Sequence, residues 1–160
     1  MKQAGIIILG LLISHNVYSN ENAVNFREYY YAVCLDQNSV QEFDSYLELY
    51  KDSKDVTVKG YQSIIWFLWA DFYLNPIRKW KCFNKGIEKL DQLIESHSDN
   101  LELRFLRLTI QDNVPNFLGY NANLKEDKEF IHNNLSKILD EDLQERITYY
   151  LSYNNITNIK

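Results

Sequence analysis

Glycine, proline and histidine are scarce in this sequence, and their scarcity narrows the folds and activities open to it. The chain has 160 residues, of which 5 are glycine, 2 are proline and 3 are histidine. A many-stranded β-sandwich needs turn residues about every 8–12 positions, so the composition favours helices. The sequence contains no glycine-rich phosphate loop and no G-x-S-x-G nucleophile elbow. These absences argue against the common nucleotide-binding and hydrolase classes.

The few histidines do not form a recognisable metal or catalytic site. His97 falls at a predicted helix end, where a capping or solvent-facing role is expected. Glu129 and His132 are three residues apart and could contact one metal ion, but a carboxylate-bridged site needs such a pair from each of two helices. The acidic groups at 126–129 and 140–142 fall in first helical turns, where they offset the helix dipole. We therefore predict no catalytic residue, no metal site and no cofactor.

Basic residues are fewer than acidic residues in this sequence. The chain has 17 basic and 22 acidic residues, with a formal charge of −5. Non-specific nucleic-acid binding depends on many Lys and Arg residues that neutralise phosphates, so a nucleic-acid partner is not expected. The densest basic cluster is Arg78-Lys79-Trp80-Lys81, which lies on a predicted amphipathic helix.

The first 19 residues have the pattern of a secretory signal. Lys2 precedes a weakly polar to apolar segment at 4–13, whose ten residues rise only about 15 Å as a helix, half of what a bilayer core requires. Val17-Tyr18-Ser19 provides small or modest side chains at the positions a signal peptidase reads. We predict a signal peptide over 1–19, cleavage after Ser19, a periplasmic or secreted protein, and no stable membrane insertion afterwards. The alternative is a buried N-terminal helix of a cytosolic domain.

Two cysteines, Cys34 and Cys82, leave two alternatives open. In an oxidising compartment an even pair favours a disulfide, which would close a loop of about 50 residues and add roughly 3–4 kcal/mol. Two buried free thiols packing as small apolar side chains are the other alternative. The sequence does not decide between them.

Apolar spacing predicts an all-α domain over residues 20–153, with about six to seven antiparallel helices and a frayed polar tail at 154–160. The segment from about Val56 to Leu74 is apolar on nearly every side, which is typical of a buried central helix. Asn75-Pro76 then supplies an N-cap and a favoured first helical residue. Short connections between consecutive helices imply antiparallel neighbours.

Three predicted helices have faces that can be tested against a structure. The first, from Glu21 to Leu35, places Val24, Tyr31, Cys34 and Leu35 at helix-like spacing, and Tyr29 and Tyr30 widen its apolar face. The helix after Asn75 carries an apolar stripe made of Ile77, Trp80, Phe83, Ile87, Leu90 and Ile94. The helix that begins at Leu101, capped by Asp99 or Asn100, has two apolar sides. One side holds Leu101, Phe105 and Leu108, and the other holds Leu103, Leu106 and Ile110.

The segment from Gly86 to Leu108 resembles a degenerate tetratricopeptide-type helix pair. Gly86, Leu90 and Leu93 fall where such a repeat places a small, a large apolar and a small residue, and Ser98-Asp99-Asn100 stands at its interhelix turn. Leu93 is larger than that pattern allows and the turn proline is absent.

Residues 60–132 also resemble a family of small exported bacterial all-helical proteins. Three runs carry this resemblance: Arg104-Phe105-Leu106-Arg107-Leu108-Thr109-Ile110-Gln111, Phe117-Leu118-Gly119-Tyr120-Asn121 and Glu126-Asp127-Lys128-Glu129-Phe130-Ile131. The resemblance implies a helical, repeat-like architecture and export, and it implies no activity.

A polar stripe is the strongest candidate for a functional site. Asp71 lies within the most apolar helix, and Arg104 and Arg107 lie between two apolar faces. An unpaired buried charge costs several kcal/mol, so these groups must pair internally or face a groove. In the structural alternative, Asp71 pairs with an arginine. In the functional alternative, a groove receives a carboxylate or a peptide terminus. The candidate binding residues are Asp71, Arg104, Arg107, Gln111, Tyr120 and Asn121.

The sequence therefore predicts an exported, non-catalytic helical scaffold that binds a protein or peptide partner, because such helical stacks usually serve as binding surfaces. A small-molecule carrier is the second hypothesis. It would use an apolar cavity lined by the aromatic residues Trp66, Trp69, Phe72, Trp80 and Phe83, with the arginine pair holding an anionic group.

Overall fold

The computed structural model describes residues 23–153, and within that range the chain is all-helical, as predicted. It has seven α-helices and no strand among these residues. The helices are α1 (23–35), α2 (Val40–Glu48), α3 (Val56–Phe72), α4 (Pro76–Ser96), α5 (Leu101–Asn113), α6 (Leu124–Asn134) and α7 (Glu141–Tyr153). The predicted signal peptide at 1–19 and the predicted tail at 154–160 lie outside the described residues. No helix in the described range is long and apolar enough to cross a membrane.

Asparagine and aspartate side chains start the central helices. Asn75 accepts hydrogen bonds from the backbone N–H groups of Ile77 and Arg78, and Pro76 occupies the first turn of α4. Asn100 accepts one from the N–H of Leu103 at 3.0 Å. These side chains satisfy donors that have no partner inside a helix. The predicted starts of α4 and α5 are therefore confirmed.

Helices α3 and α4 pack against each other, and Gly86 makes their approach possible. A Cβ atom on Gly86 would lie 2.7 Å from two ring atoms of Phe67 on α3. The tetratricopeptide resemblance places a small residue at position 86. In the structure, Gly86 allows α4 to pack closely against α3. A tetratricopeptide-like repeat over Gly86–Leu108 is not confirmed.

Replacing Gly86 by alanine should lower the free energy of unfolding by about 1 kcal/mol. The Phe67 ring packs against Phe83 and Tyr120, with ring centroids 5.6 and 5.8 Å away, so it has little room to move. Overpacking costs about 1–3 kcal/mol, which outweighs the roughly 1 kcal/mol that alanine gains in helix propensity. Urea unfolding of Gly86→Ala beside Asn84→Ala, an exposed site on the same helix, measures the difference. A more stable Gly86→Ala would contradict the tight contact.

Helix α5 lies between two hydrophobic cores, as its two apolar faces predict. Leu103, Leu106 and Ile110 pack into the larger core with α1 to α4. Phe105 and Leu108 pack into the smaller core, with Ile131 of α6 and residues of α7. All residues from Glu102 to Gln111 are buried. The polar side chains between the two faces are therefore also enclosed, and they need partners.

Candidate functional site

Arg104 and Arg107 are both buried and share one carboxylate, that of Asp127. Arg107 donates from Nε to Asp127 Oδ2 at 2.6 Å and from Nη2 to Oδ1 at 2.9 Å, which makes a two-pronged contact. Arg104 donates from Nη1 to Oδ1 at 2.9 Å. Asp127 is 0% exposed. We call these three residues the Asp127 cluster, and it joins α5 to α6.

Both guanidinium groups also donate to partners outside Asp127. Arg104 donates to the backbone oxygen of Ser98 at 2.7 Å and to Glu126 at 2.8 Å. Arg107 donates to Asp91 of α4 at 3.3 Å. Burial alone would lower the pKa of Arg107, but the hydrogen bonds that it donates to Asp127 and Asp91 raise it above its ordinary value, so this guanidinium stays charged. Both arginines thus bind carboxylates of this chain.

The expected Asp71–arginine ion pair is wrong. Asp71 lies one residue before the end of α3, is exposed, and accepts a hydrogen bond from Gln37 Nε2 at 2.6 Å. The buried acid that pairs with the arginines is Asp127. From the sequence, Asp127 was expected to offset the dipole of its helix. One signal could have identified it. Leu124, Asp127 and Ile131 follow at steps of three and four, which places Asp127 on the apolar stripe of α6.

The other candidate residues lie in different surroundings. The Tyr120 hydroxyl donates to Asp91 Oδ1 at 2.9 Å, so Tyr120 is joined to the Asp127 cluster through Asp91. Asn121 is exposed. Gln111 is buried, and neither its amide nitrogen nor its amide oxygen has a hydrogen-bond partner among the described residues. The structure brings Arg104, Arg107 and Tyr120 together and places Asp71 elsewhere.

A second buried ion cluster was not predicted from the sequence. Arg27 of α1 binds Glu102 of α5 through two hydrogen bonds of 2.8 Å. It also donates to Asp140, at 2.9 Å, and to Asp142, at 2.8 Å. The Tyr61 hydroxyl donates to Glu102 at 2.9 Å. We call this the Arg27 cluster.

The Arg27 cluster holds the start of α7 against α1 and α5. Asp140 also caps α7 by accepting from the N–H of Leu143 at 3.0 Å. Burial alone would raise the pKa of Asp142, but hydrogen bonds from Arg146 and Arg27 outweigh it and lower that pKa below its ordinary value. The cluster is therefore structural. Among the described residues no group of three or more His, Cys, Asp or Glu side chains is placed to hold a metal ion.

The predicted apolar face of α1 is only partly covered by the core. Tyr29 and Tyr30 pack against the larger core, whereas Cys34 is exposed, Tyr31 is 46% exposed and Leu35 is 72% exposed. Phe26 and Val33, which the spacing did not select, are buried. Tyr31 and Leu35 form an uncovered apolar strip on the surface of the protein.

A similar strip lies on α7. Tyr149 and Tyr153 are 62% and 77% exposed, and their rings stack with centroids 6.4 Å apart. Tyr31 and Leu35 follow Glu28 at i+3 and i+7, and Tyr149 and Tyr153 follow Arg146 at the same spacing. Glu28 and Arg146 form an ion pair, which joins the two strips. We call Tyr31, Leu35, Tyr149 and Tyr153 the tyrosine face.

The two helices that carry the tyrosine face run in the same direction. Residue 28 meets residue 146 near the start of each helix. Further along, burial and the Asp112 carboxylate raise the pKa of Tyr150, and the nearby thiol of Cys34 adds to that shift. Hydrogen bonds to α5 give the same order on both helices, because Arg27 meets Glu102 whereas Tyr30 and Tyr150, further along, meet Thr109 and Asp112. The tyrosine face therefore spans two helices that run in the same direction.

The two cysteines are free thiols in the structure. Cys34 is exposed near the end of α1, and Cys82 is half-buried on α4 against the larger core. Burial raises the pKa of the Cys82 thiol, and the positive charges of Lys85 and Arg78 oppose that shift only in part. Of the two alternatives that the sequence leaves open, the disulfide is not formed.

No protein-family model matches this sequence, and comparisons with curated proteins and with solved structures found no similar protein.

Proposed function

We propose that this chain is an exported, non-catalytic helical scaffold that binds a protein or peptide partner through the tyrosine face. The observation that carries the proposal is a set of four exposed aromatic and apolar side chains on α1 and α7, two helices joined beside these residues by the Glu28–Arg146 ion pair. Each of its four residues is at least 46% exposed. Single exposed apolar residues are ordinary, but a group of them indicates a contact surface.

The chemistry of the face suits a protein partner. Tyrosine is enriched at protein interfaces because it offers a large apolar ring and one hydroxyl while losing little conformational freedom. An apolar surface on two helices can receive an amphipathic helix that presents apolar residues at every third or fourth position. We infer that the partner segment is amphipathic, with polar groups that meet the tyrosine hydroxyls.

The two helices that carry the tyrosine face are also held in place relative to each other. Arg27 binds Asp140 and Asp142 at the start of α7, and Arg146 binds both Asp142 and Glu28. These contacts fix α7 against α1 before any partner arrives. A surface that is already in place loses less entropy on binding.

The carrier hypothesis has less support from the geometry. It needs the Arg104 and Arg107 pair to receive an anionic group of a ligand. Both guanidinium groups bind Asp127, and both also contact a second carboxylate, Glu126 or Asp91. An incoming anion would have to displace these internal carboxylates, so the partner-binding proposal is preferred.

Site-specific photo-crosslinking in the protein's own host tests the proposal. A photoreactive phenylalanine derivative is placed at Tyr31 or Tyr149, and the control positions are Gln92 and Glu95, exposed residues of α4. We expect the same protein adduct from positions 31 and 149 and none from the control positions. Mass spectrometry then identifies the partner and the crosslinked segment.

Two outcomes would contradict the proposal. An adduct formed equally well from the control positions would show non-specific encounter. An adduct made only of a second copy of this chain would show that the tyrosine face is a self-association surface.

A further inference from the structure

The turn between α3 and α4 is a second apolar surface, remote in sequence from the tyrosine face. Eight consecutive residues, 74–81, are all exposed, and we call them the hairpin tip. Leu74 is 98% exposed, Ile77 is 65% exposed and Trp80 is 55% exposed. The first buried residue of α4 is Phe83. The first turn and a half of α4 therefore extends past the core.

The spacing of the apolar stripe explains this exposure. Ile77, Trp80 and Phe83 are separated by two consecutive steps of three. A helix turns by about 100° per residue, so each step of three falls roughly 60° short of a full turn. Trp80 and Ile77 thus rotate progressively away from the side that Phe83 buries. The stripe predicted from sequence is continuous, but its first two members face solvent.

Positive charge is concentrated at the same place. Between Asp71 and Glu88 there is no acidic residue, and there are four cations: Arg78, Lys79, Lys81 and Lys85. All four are exposed. In a chain with a formal charge of −5, this cluster is a local exception. Apolar side chains beside several cations match a surface that is both apolar and anionic.

We infer that the hairpin tip docks on a membrane surface that contains anionic lipid. Tryptophan is enriched at the boundary between hydrocarbon and headgroups, and Leu74 and Ile77 can enter the acyl region. Arg78, Lys79 and Lys81 remain at headgroup level, where each cation near an anionic surface strengthens binding about fivefold. Every residue of the tip is exposed, so its apolar and cationic side chains can meet a bilayer together.

Sedimentation with lipid vesicles tests the inference. One vesicle preparation contains phosphatidylglycerol and phosphatidylcholine in equal amounts, and the other contains phosphatidylcholine alone. We expect binding to the first that weakens in high salt. The double variant Arg78→Glu/Lys81→Glu should reduce that binding roughly tenfold or more, and Ile77→Ser/Trp80→Ser should reduce it as strongly.

Matched control residues lie in α6 and in the segment between α6 and α7. Leu139 is 97% exposed and the side chain of Lys125 is 87% exposed. Leu139→Ser and Lys125→Glu make the same chemical changes away from the tip, and we expect them to bind vesicles like the unchanged protein. Equal losses in the control and tip variants would overturn the inference. Failure of the unchanged protein to bind the anionic vesicles would also overturn it.

A second measurement locates the contact independently of the N-terminal apolar segment. Tryptophan occurs only at positions 66, 69 and 80. Vesicles with brominated acyl chains quench tryptophan emission at short range, and we expect quenching that is largely lost in Trp80→Phe. Quenching that persists unchanged in Trp80→Phe would show that the chain meets the membrane through another surface.

Discussion

Replacing Asp127 by alanine should lower the free energy of unfolding by about 3–5 kcal/mol. Asp127 is completely buried and is the shared partner of Arg104 and Arg107. Without it, two buried guanidinium groups lose the carboxylate that balances them. Breaking a buried ion pair from one side is costly because the remaining charge stays desolvated. A domain typically has roughly 5–15 kcal/mol of stability in total, so this loss is a large fraction of it.

Urea unfolding monitored by circular dichroism measures this loss, and Glu126→Ala is the matched control. Glu126 precedes Asp127 in the chain and binds the same Arg104, but its side chain is 62% exposed. Exposed ion pairs contribute about 0–1 kcal/mol. A loss below about 1 kcal/mol in Asp127→Ala would show that the arginines find other partners and that the cluster does not hold α6 in place.

Replacing Arg27 by methionine should cost a similar amount, again about 3–5 kcal/mol. The change keeps most of the apolar stem and removes the guanidinium that binds Glu102, Asp140 and Asp142. Glu102 would then be a buried carboxylate whose described partner is the Tyr61 hydroxyl. Neighbouring acids would also repel one another. The start of α7 should loosen first, because two of the three carboxylates lie there.

Hydrogen exchange and urea unfolding of Arg27→Met measure both effects. Arg78→Met is the control, since Arg78 is an exposed arginine that contacts the ring of Tyr73 at 5.7 Å. We expect less than about 1 kcal/mol there. Faster amide exchange confined to α7 would support the cluster's role as a clamp. An Arg27→Met protein as stable as the control would contradict it.

Local patterns in the sequence were sufficient for the architecture. Asn75 and Asn100 cap α4 and α5 as predicted, because capping depends only on a few neighbouring backbone groups. The two apolar faces of α5 predicted its place between two cores, and Arg104 and Arg107 lie enclosed between them. The spacing of apolar residues is enough to predict that α5 is covered on two sides.

The residues that pair with the buried arginines could not be predicted in the same way. Arg107 and Asp127 are 20 residues apart, and Arg27 and Glu102 are 75 apart. No local rule relates such positions, and Asp127 also had an adequate explanation in the first turn of α6. Only the packing of the helices shows that its side chain is buried between two arginines.

The outer faces of α1 and α4 were misjudged for a related reason. Periodicity reports that a side is apolar and cannot report whether another element covers it. On α1 the uncovered side carries Tyr31 and Leu35, and on α4 it carries Ile77 and Trp80. Both surfaces proposed for binding are therefore places where the apolar pattern is longer or wider than the core requires.

The central claim is that recognition uses the tyrosine face, whereas the buried arginines serve stability. The most direct test measures the photo-crosslinking yield from position 31 in three backgrounds: the unchanged chain, Tyr149→Ser and Asn121→Ala. Tyr149 and Asn121 are both exposed, so neither change should alter the melting temperature. We predict a large loss of yield in Tyr149→Ser and none in Asn121→Ala, which changes an exposed residue next to Tyr120 in the chain. The reverse pattern would contradict the claim.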